Sequence, residues 1–286
     1  MAVAPKADLY ARAVSDRDEV AAFLRSDRRY AAYAMGDLDG PNRARSRWGL
    51  AYDDLGRPIA LAMHQDGVIP QPLFVMGDPA GVVEVLSSVI RPRDAYLLGT
   101  ETLDEAVAGL YQLERRVTLH RMVVDRRSFV PFDGGAVRLT ARDIDDLNRL
   151  YQLGFRGAFP SGVLEDGIYY GVRVGGRLVS AAGTHVINAH EGIGVVGNVM
   201  TQVEYRGHDF AKIATSAVTA ELLTRVDDVA LNVHTDNAPA VAAYQRLGFQ
   251  AHCLLSERLA RRRAGGWGIM RPIREALRLT WPRETR

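Results

Sequence analysis

The feature that most constrains the fold is a self-similarity at a fixed spacing. Asp94-Ala-Tyr-Leu97, followed by Ala106-Val-Ala108 and Leu113, returns as Asp228-Val-Ala-Leu231, followed by Ala240-Val-Ala242 and Leu247, at a constant offset of 134 residues (94 to 228, 106 to 240, 113 to 247). Each half also opens alike. Ser15-Asp-Arg-Asp18 and Thr140-Ala-Arg-Asp143 both read as a Ser/Thr helix cap with an acid three residues on, after a short strand. Two like units in tandem account for this better than two unrelated domains. The Pro131-Phe-Asp-Gly-Gly135 segment, between a strand over 116–124 and another at 137–139, is the natural linker.

A chain of 286 residues with 47% hydrophobic and 24% charged residues is long and apolar enough for two cores. A net charge of +2 argues against a strongly electrostatic nucleic-acid binder. One cysteine, Cys253, excludes an internal disulfide framework and fits a reducing compartment. Neither a secretory signal nor an apolar run of membrane length is visible, so the expected location is cytoplasmic, with no membrane partner. His185 and His190 have no Cys or acidic cluster to complete a zinc set, and no metal site is expected. The basic tail over 261–286 interleaves arginines with Trp267 and Trp281 and is expected to lay an apolar stripe on its own protein.

The second half carries the chemistry. Strands are expected over 136–139, 168–173, 178–187, 192–200, 229–233 and 251–258, with a helix over 141–153 and two more flanking the strand at 229–233. Strands first and alternating helices later indicate an α/β fold around a mixed sheet, with a ligand gap between the strands at 192–200 and 229–233. Into that gap point two segments. Thr201-Gln-Val-Glu-Tyr205 leads through Arg206, Gly207, His208 and Asp209 into a helix beginning near Phe210 and Ala211. The unbonded N–H groups and positive dipole of a helix start make a diphosphate site. In the second segment, Asn237 to Phe249, the residues Asn237, Ala240 and Tyr244 share a helix face. Gly248 then suits a left-handed cap, with Phe249 folding back.

These two segments together resemble the acyl-CoA site of the GNAT superfamily of N-acetyltransferases. The superfamily carries Arg or Gln, two residues, Gly, one residue, then Gly or Ala at its pyrophosphate turn; Arg206 and Ala211 match, whereas Asp209 stands where Gly is usual. The resemblance implies a mixed, mostly antiparallel sheet flanked by helices, here in two tandem copies, with acetyl-CoA as acyl donor. It places Val199, Met200, Thr201, Arg206, Gly207, His208, Asp209, Phe210, Ala211, Asn232 and Asn237 at the coenzyme, Asn237 on the pantetheine arm. The resemblance makes Tyr244 the acid that would protonate the departing thiolate. A backbone N–H near Val199 or Met200 is assigned to the oxyanion. Asn198, at the expected bend of its strand, orients substrate; Glu191, His234, His185 and a water chain all remain open as the base.

In the register of the repeat the first copy lacks the site, since Leu98, Leu103 and Leu110 fall opposite Asn232, Asn237 and Tyr244. Its helix is preceded only by Met76-Gly-Asp-Pro-Ala-Gly81. The expectation is a degenerate copy over 1–130, a working copy over 136–260, and the basic tail. The expected activity is transfer of acetyl from acetyl-CoA to a primary amine of a small molecule, with a homodimer as the expected assembly. The competing reading is a non-catalytic acyl-CoA-binding or interaction protein in which Asp209 marks decay. The loop Phe155 to Gly162 is expected to cover the acceptor, with Arg156 able to meet a carboxylate.

Overall fold

The computed structural model describes residues 9–67, 69–152 and 162–263. Its first half runs β1 (Tyr10–Val14), α1 (Arg17–Leu24), α2 (Ala32–Gly36), α3 (Gly40–Arg43), β2 (Ser46–Tyr52), β3 (Pro58–Gln65), β4 (Pro72–Gly77), α4 (Pro79–Ser88), β5 (Asp94–Gly99), α5 (Glu101–Val107), β6 (Tyr111–Leu113) and β7 (Val117–Asp125). The second half repeats the plan with β8 (Val137–Arg138), α6 (Ile144–Gln152), α7 (Val163–Asp166), β9 (Tyr170–Val174), β10 (Arg177–Asn188), β11 (Ile193–Thr201), α8 (Phe210–Leu222), β12 (Asp228–His234), α9 (Ala238–Arg246) and β13 (Gln250–Arg262). Among the described residues no helix is long and apolar enough to cross a membrane.

All strands join one sheet in the order β1-β2-β3-β4-β5-β13-β7-β12-β11-β10-β9-β8, with β6 on the end of β13. Only β4 with β5 and β11 with β12 run parallel, so the sheet is mixed and mostly antiparallel. The halves exchange their last strands: β7 of the first pairs with β12 of the second, and β13 of the second pairs with β5 of the first. Between them β7 and β13 run antiparallel, with His120 opposite Leu254. Those two residues are themselves 134 apart, so the sequence repeat is a near two-fold axis through the centre of the sheet.

This exchange is why β13 reaches Arg262, past the end expected at 258. After pairing with β7 it continues along β5 and β6, where Arg261 Nε donates to Asp94 and Arg262 Nη1 to the Leu86 carbonyl. Arg261 and Arg262 are thus strand residues; the expectations for 264–286 and for the loop at 155–161 lie outside the described residues. Local chemistry sets the other boundaries. Thr140 and Asp143 form the reciprocal capping box, but α1 is capped by Asp16, whose carboxylate takes the Asp18 and Glu19 N–H groups, and not by Ser15.

Two apolar layers flank the second half of the sheet. On one face Ala214, Val218 and Leu222 of α8, with Leu247 and Phe249, pack on Met122, Val124, Val196, Val229 and Leu231. On the other, Ala32, Ala34 and Met35 of α2 pack on Leu119, Val123, Val195, Ala230 and Leu255. The first half thus covers the second half's sheet, and each large buried side chain in that seam contributes about 2 kcal/mol. In the first half, Leu103 is sealed in the core, with Leu98 and Leu110 packed at core edges. The Asp78 carboxylate accepts the Gly81 N–H at the start of α4, where an anion would otherwise bind.

Candidate coenzyme cleft and active site

The site begins where two parallel strands part. β11 and β12 are hydrogen-bonded from Ile193 opposite Asp228 to Val196 opposite Leu231, and beyond that pair the ladder stops. On its other edge β11 bulges against β10, where Gly183 faces Gly197 and Ala181 faces Met200, so one extra residue is accommodated on β11. Asn198 sits in the bulge with φ 51°, a left-handed conformation that Asn tolerates better than most residues. Gly197 is required there because a Cβ would lie 2.3 Å from the His185 ring. The bend of the central strand at Asn198 is therefore real, and it turns Val199 and Met200 into the wall of a cleft of about 750 Å³.

The second wall is the turn into α8. Asp209 adopts φ 60° and ψ 7°, the conformation for which Gly is the usual residue, and this explains the Gly of the superfamily pattern. Its side chain accepts none of the helix's first N–H groups. The first backbone bond of the helix is Ile213 N–H to the Asp209 carbonyl, so the N–H groups of Phe210, Ala211 and Lys212 lack helical acceptors. The Asp209 carboxylate pairs instead with Lys212 Nζ at 3.0 Å. That ammonium is nearly buried and lies 3.7 Å from the centre of the Phe132 ring, which the linker lays over the helix start.

The third wall is α9. Asn237 caps it, its Oδ1 accepting the Ala240 N–H at 3.3 Å, which leaves the amide N–H groups for other partners. Tyr244 lies two turns on, its ring edge against Phe249 at 6.1 Å. The side chain is 7% exposed, and burial pushes the phenol up to about 12, so it stays protonated at neutral pH. Gly248 closes the helix at φ 91° with the Ser128 carbonyl packed against its Cα.

Val199, Met200, Thr201, Arg206, Gly207, Asp209, Phe210, Ala211, Asn237 and Tyr244 all line the one cleft. His208 does not; it stacks on Phe210 at 5.7 Å and its Nδ1 meets the Arg206 carbonyl. Nor does Asn232, whose Oδ1 accepts from Arg121 Nε at 2.8 Å. Lys212 and Arg246 line the cleft as well and had not been singled out in the sequence. Arg206 and Arg246 have no ion-pair partner among the described residues, so three cations, counting Lys212, ring the turn.

Across the splay, on the face covered by the first half, lies a polar chain. Asn198 Nδ2 donates to the Tyr169 hydroxyl at 2.8 Å, which leaves Oδ1 as the acceptor for His185 Nε2–H at 2.9 Å. His185 Nδ1 then accepts from the Tyr33 hydroxyl at 2.8 Å. His185 is exposed to solvent, and the protein packed around its ring lowers its pKa. Of the other base candidates, Glu191 is locked to Arg25 and Arg17 just ahead of β11, at the end of the strand remote from the bulge. His234 ends β12 in an exposed position.

The arrangement offers an anion-binding helix start, a slot between parted strands, and a protonated phenol beside it. Residues 169–259 match the FR47-like protein family. The chain is similar to a GNAT-family protein from Novosphingobium aromaticivorans (23% identity over 83% of this chain and 100% of that one, TM-score 0.56). It is similar also to a GCN5-related N-acetyltransferase from Sphaerobacter thermophilus (15%, 89% and 95%, TM-score 0.56). A tandem GNAT protein from the clavulanic acid biosynthesis pathway aligns over 90% of this chain and 98% of its own at 14% identity and a TM-score of 0.51. At these identities the likeness is one of fold. No curated protein sequence matches.

Proposed function

We propose, from its GNAT-like fold and its FR47-like segment, that the chain is an acyl-CoA-dependent N-acyltransferase of the GNAT superfamily moving acetyl from acetyl-CoA to a primary amine of a small molecule. The observation that carries the reading is the single cleft that unites the parted strands, the α8 helix start and Tyr244. Acetyl-CoA would lay its diphosphate on the N–H groups of Phe210 to Lys212, with Arg206, Lys212 and Arg246 supplying charge. Its pantetheine arm would pass Asn237, and its thioester would stop near Val199 and Tyr244.

Acyl transfer needs a neutral amine, a stabilised oxyanion and a protonated leaving thiol. Residues Asn198 and Val199 have no ladder partner on either side, so backbone donors are available at the bend; one such donor is worth about 3 kcal/mol. Tyr244, neutral at pH 7, is the acid for the thiolate, a role worth about 10²-fold in rate or more. In this reading Asp209 supports the turn and is not a sign of decay, because it supplies the left-handed residue the turn demands. The first half serves as scaffold and wall. The lone, half-buried Cys253 fits a reducing, cytoplasmic setting.

The test is thiol release from acetyl-CoA over a panel of small amines, with calorimetric titration of acetyl-CoA alongside. Turnover with formation of the N-acetyl amine is the expected result. Binding without turnover for any amine would instead favour a non-catalytic acyl-CoA-binding protein.

A further inference from the structure

β10 and β11 are joined through two bulges that cancel. Ser180 and Ala181 of β10 pair with Thr201 and Met200 of β11 in the same register that joins Val186 to Asn188 with Val195 to Ile193, but Gly183 and Thr184 between them are slipped by one residue. β11 carries its extra residue in the Asn198–Val199 segment, and β10 carries the compensating one at His185. Without the second bulge the slip would run on to Ile193 and turn Val195 and Ile193, both held in the core, to the wrong face. The two bulges also grip each other. The His185 ring lies over Gly197, where a Cβ would come within 2.3 Å of it, and its Nε2–H donates to Asn198 Oδ1 at 2.9 Å.

Asn198 and Asp209 are the non-glycine residues with left-handed backbone among those described, so the strain of the chain is concentrated at the coenzyme cleft. Three tyrosines hold Asn198 in place. Its Nδ2 donates to the Tyr169 hydroxyl, its backbone carbonyl accepts from the Tyr151 hydroxyl of α6, and the Tyr33 hydroxyl donates to His185 Nδ1, which leaves the imidazole proton on Nε2 for Asn198. Tyr151 and Tyr169 are fully buried, and burial raises both phenols, so each keeps its proton. Tyr33 comes from α2 of the first half, which is seated on the same stretch of β10: Asn188 Nδ2 donates to the Met35 carbonyl at 2.8 Å, and Gly36 has no room for a Cβ beside Val186.

The Tyr151 bond bears on the chemistry. The Asn198 carbonyl and the Val199 N–H belong to one planar, trans peptide and point in opposite directions. Anchoring the carbonyl on Tyr151 therefore aims the Val199 N–H away from Tyr151, and Val199, paired in neither ladder, lines the coenzyme cleft. With the peptide turned over, a carbonyl oxygen would stand where the donor is needed. We propose that Tyr151 and His185 are positioning residues for acyl transfer, locking the Asn198–Val199 peptide so that its N–H faces the oxyanion. The proposal rests on the acyltransferase reading above. In that step the amine lone pair forms the C–N bond as the carbonyl π pair moves onto oxygen. Collapse breaks the C–S bond, Tyr244 protonates the sulfur, and the proton shed by the amine restores Tyr244 through solvent. The first half takes part through Tyr33, whose hydroxyl sets the tautomer with which His185 holds the bend.

Three variants and two readouts test it. In Tyr151→Phe and in His185→Leu, kcat should fall at least about tenfold, while the amine KM and the acetyl-CoA dissociation constant stay within about twofold. His185→Gln, whose amide N–H can still reach Asn198 Oδ1, should keep kcat within about threefold of wild type. The second readout needs no turnover. Labelling with 13C-carbonyl asparagine and 15N-valine marks the peptides Asn198–Val199 and Asn232–Val233, and the residual dipolar coupling of each N–H reports its direction. The Val199 coupling should change in Tyr151→Phe and His185→Leu but hold in His185→Gln, with Val233 as the fixed reference. An unchanged kcat in Tyr151→Phe, a loss in His185→Gln equal to that in His185→Leu, or a Val199 coupling that stays put in Tyr151→Phe would overturn the proposal. A Val199 N–H that turns in Tyr151→Phe, in a protein that acetylates no amine, would uphold the clamp while sinking the enzyme reading.

Discussion

Asp209 separates a working phosphate turn from a decayed one, and its replacement has a calculable effect. Its backbone is left-handed, its carboxylate is half-exposed, and its partner Lys212 is nearly buried against Phe132. Asp209→Asn keeps a side chain that tolerates the left-handed region but removes the charge. Lys212 then faces the diphosphate with its full charge, and a like charge leaves the helix start. A charge change at a helix N-terminus is worth about 1 kcal/mol, or about fivefold in affinity. Asp209→Gly should give a similar gain. Its fold stability should change by less than about 1 kcal/mol, since relief of the left-handed strain offsets the lost ion pair. Asp209→Ala loses the charge too but keeps the strain, and should be the least stable of the three. Calorimetric titration with acetyl-CoA at two salt concentrations measures this, and the gain in the Asn variant should shrink as salt screens it. Weaker binding in both the Asn and Gly variants would refute the reasoning and make the Asp209–Lys212 pair part of the site.

Four further outcomes follow from the geometry. Tyr244→Phe should leave the acetyl-CoA dissociation constant within about twofold and lower turnover about 10²-fold; an unchanged rate removes Tyr244 from the mechanism. Gly197→Ala drives a methyl into the His185 ring and should lower turnover at least about tenfold while sparing coenzyme affinity, read by the same two assays. Gly248→Ala must hold φ 91° with its Cβ 1.9 Å from the Ser128 carbonyl oxygen, which should cost about 3 kcal/mol and lower Tm by roughly 5–10 °C in a thermal melt. Burial raises the Asp37 carboxyl to about 6 despite the hydrogen bond from Gln65, so its folded pKa lies above its unfolded one. Stability is therefore lost as pH rises from about 4 through 6, and Asp37→Asn should be more stable than wild type at pH 7 but not at pH 3.5.

Local signals carried most of the second half. The Thr140 box, the Arg206–Ala211 turn, the Asn237 cap and the Gly248 stop are contacts within a few residues of one another, and each is visible as a spacing. The offset of 134 residues exposed the repeat but not the strand exchange, because a strand's hydrophobic pattern does not say which neighbour it will pair with. That is also why Asn232 was placed at the coenzyme: its partner, Arg121, is 111 residues away on a strand the other half supplies. Lys212 and Arg246 were hidden for a simpler reason. A lysine in a first turn and an arginine in a last turn are ordinary helix residues until the fold aims them at one cleft. The left-handed Asp209 could have been foreseen, since Gly is favoured where φ is positive and Asp is among its better substitutes.

A crystal structure with acetyl-CoA would test the proposed coenzyme site most directly. One coenzyme per chain is expected, its diphosphate on the N–H groups of Phe210 to Lys212 and its thioester between Val199 and Tyr244. A coenzyme bound at α4 or α5 of the first half, or one whose thioester lies outside the β11–β12 splay, would contradict it.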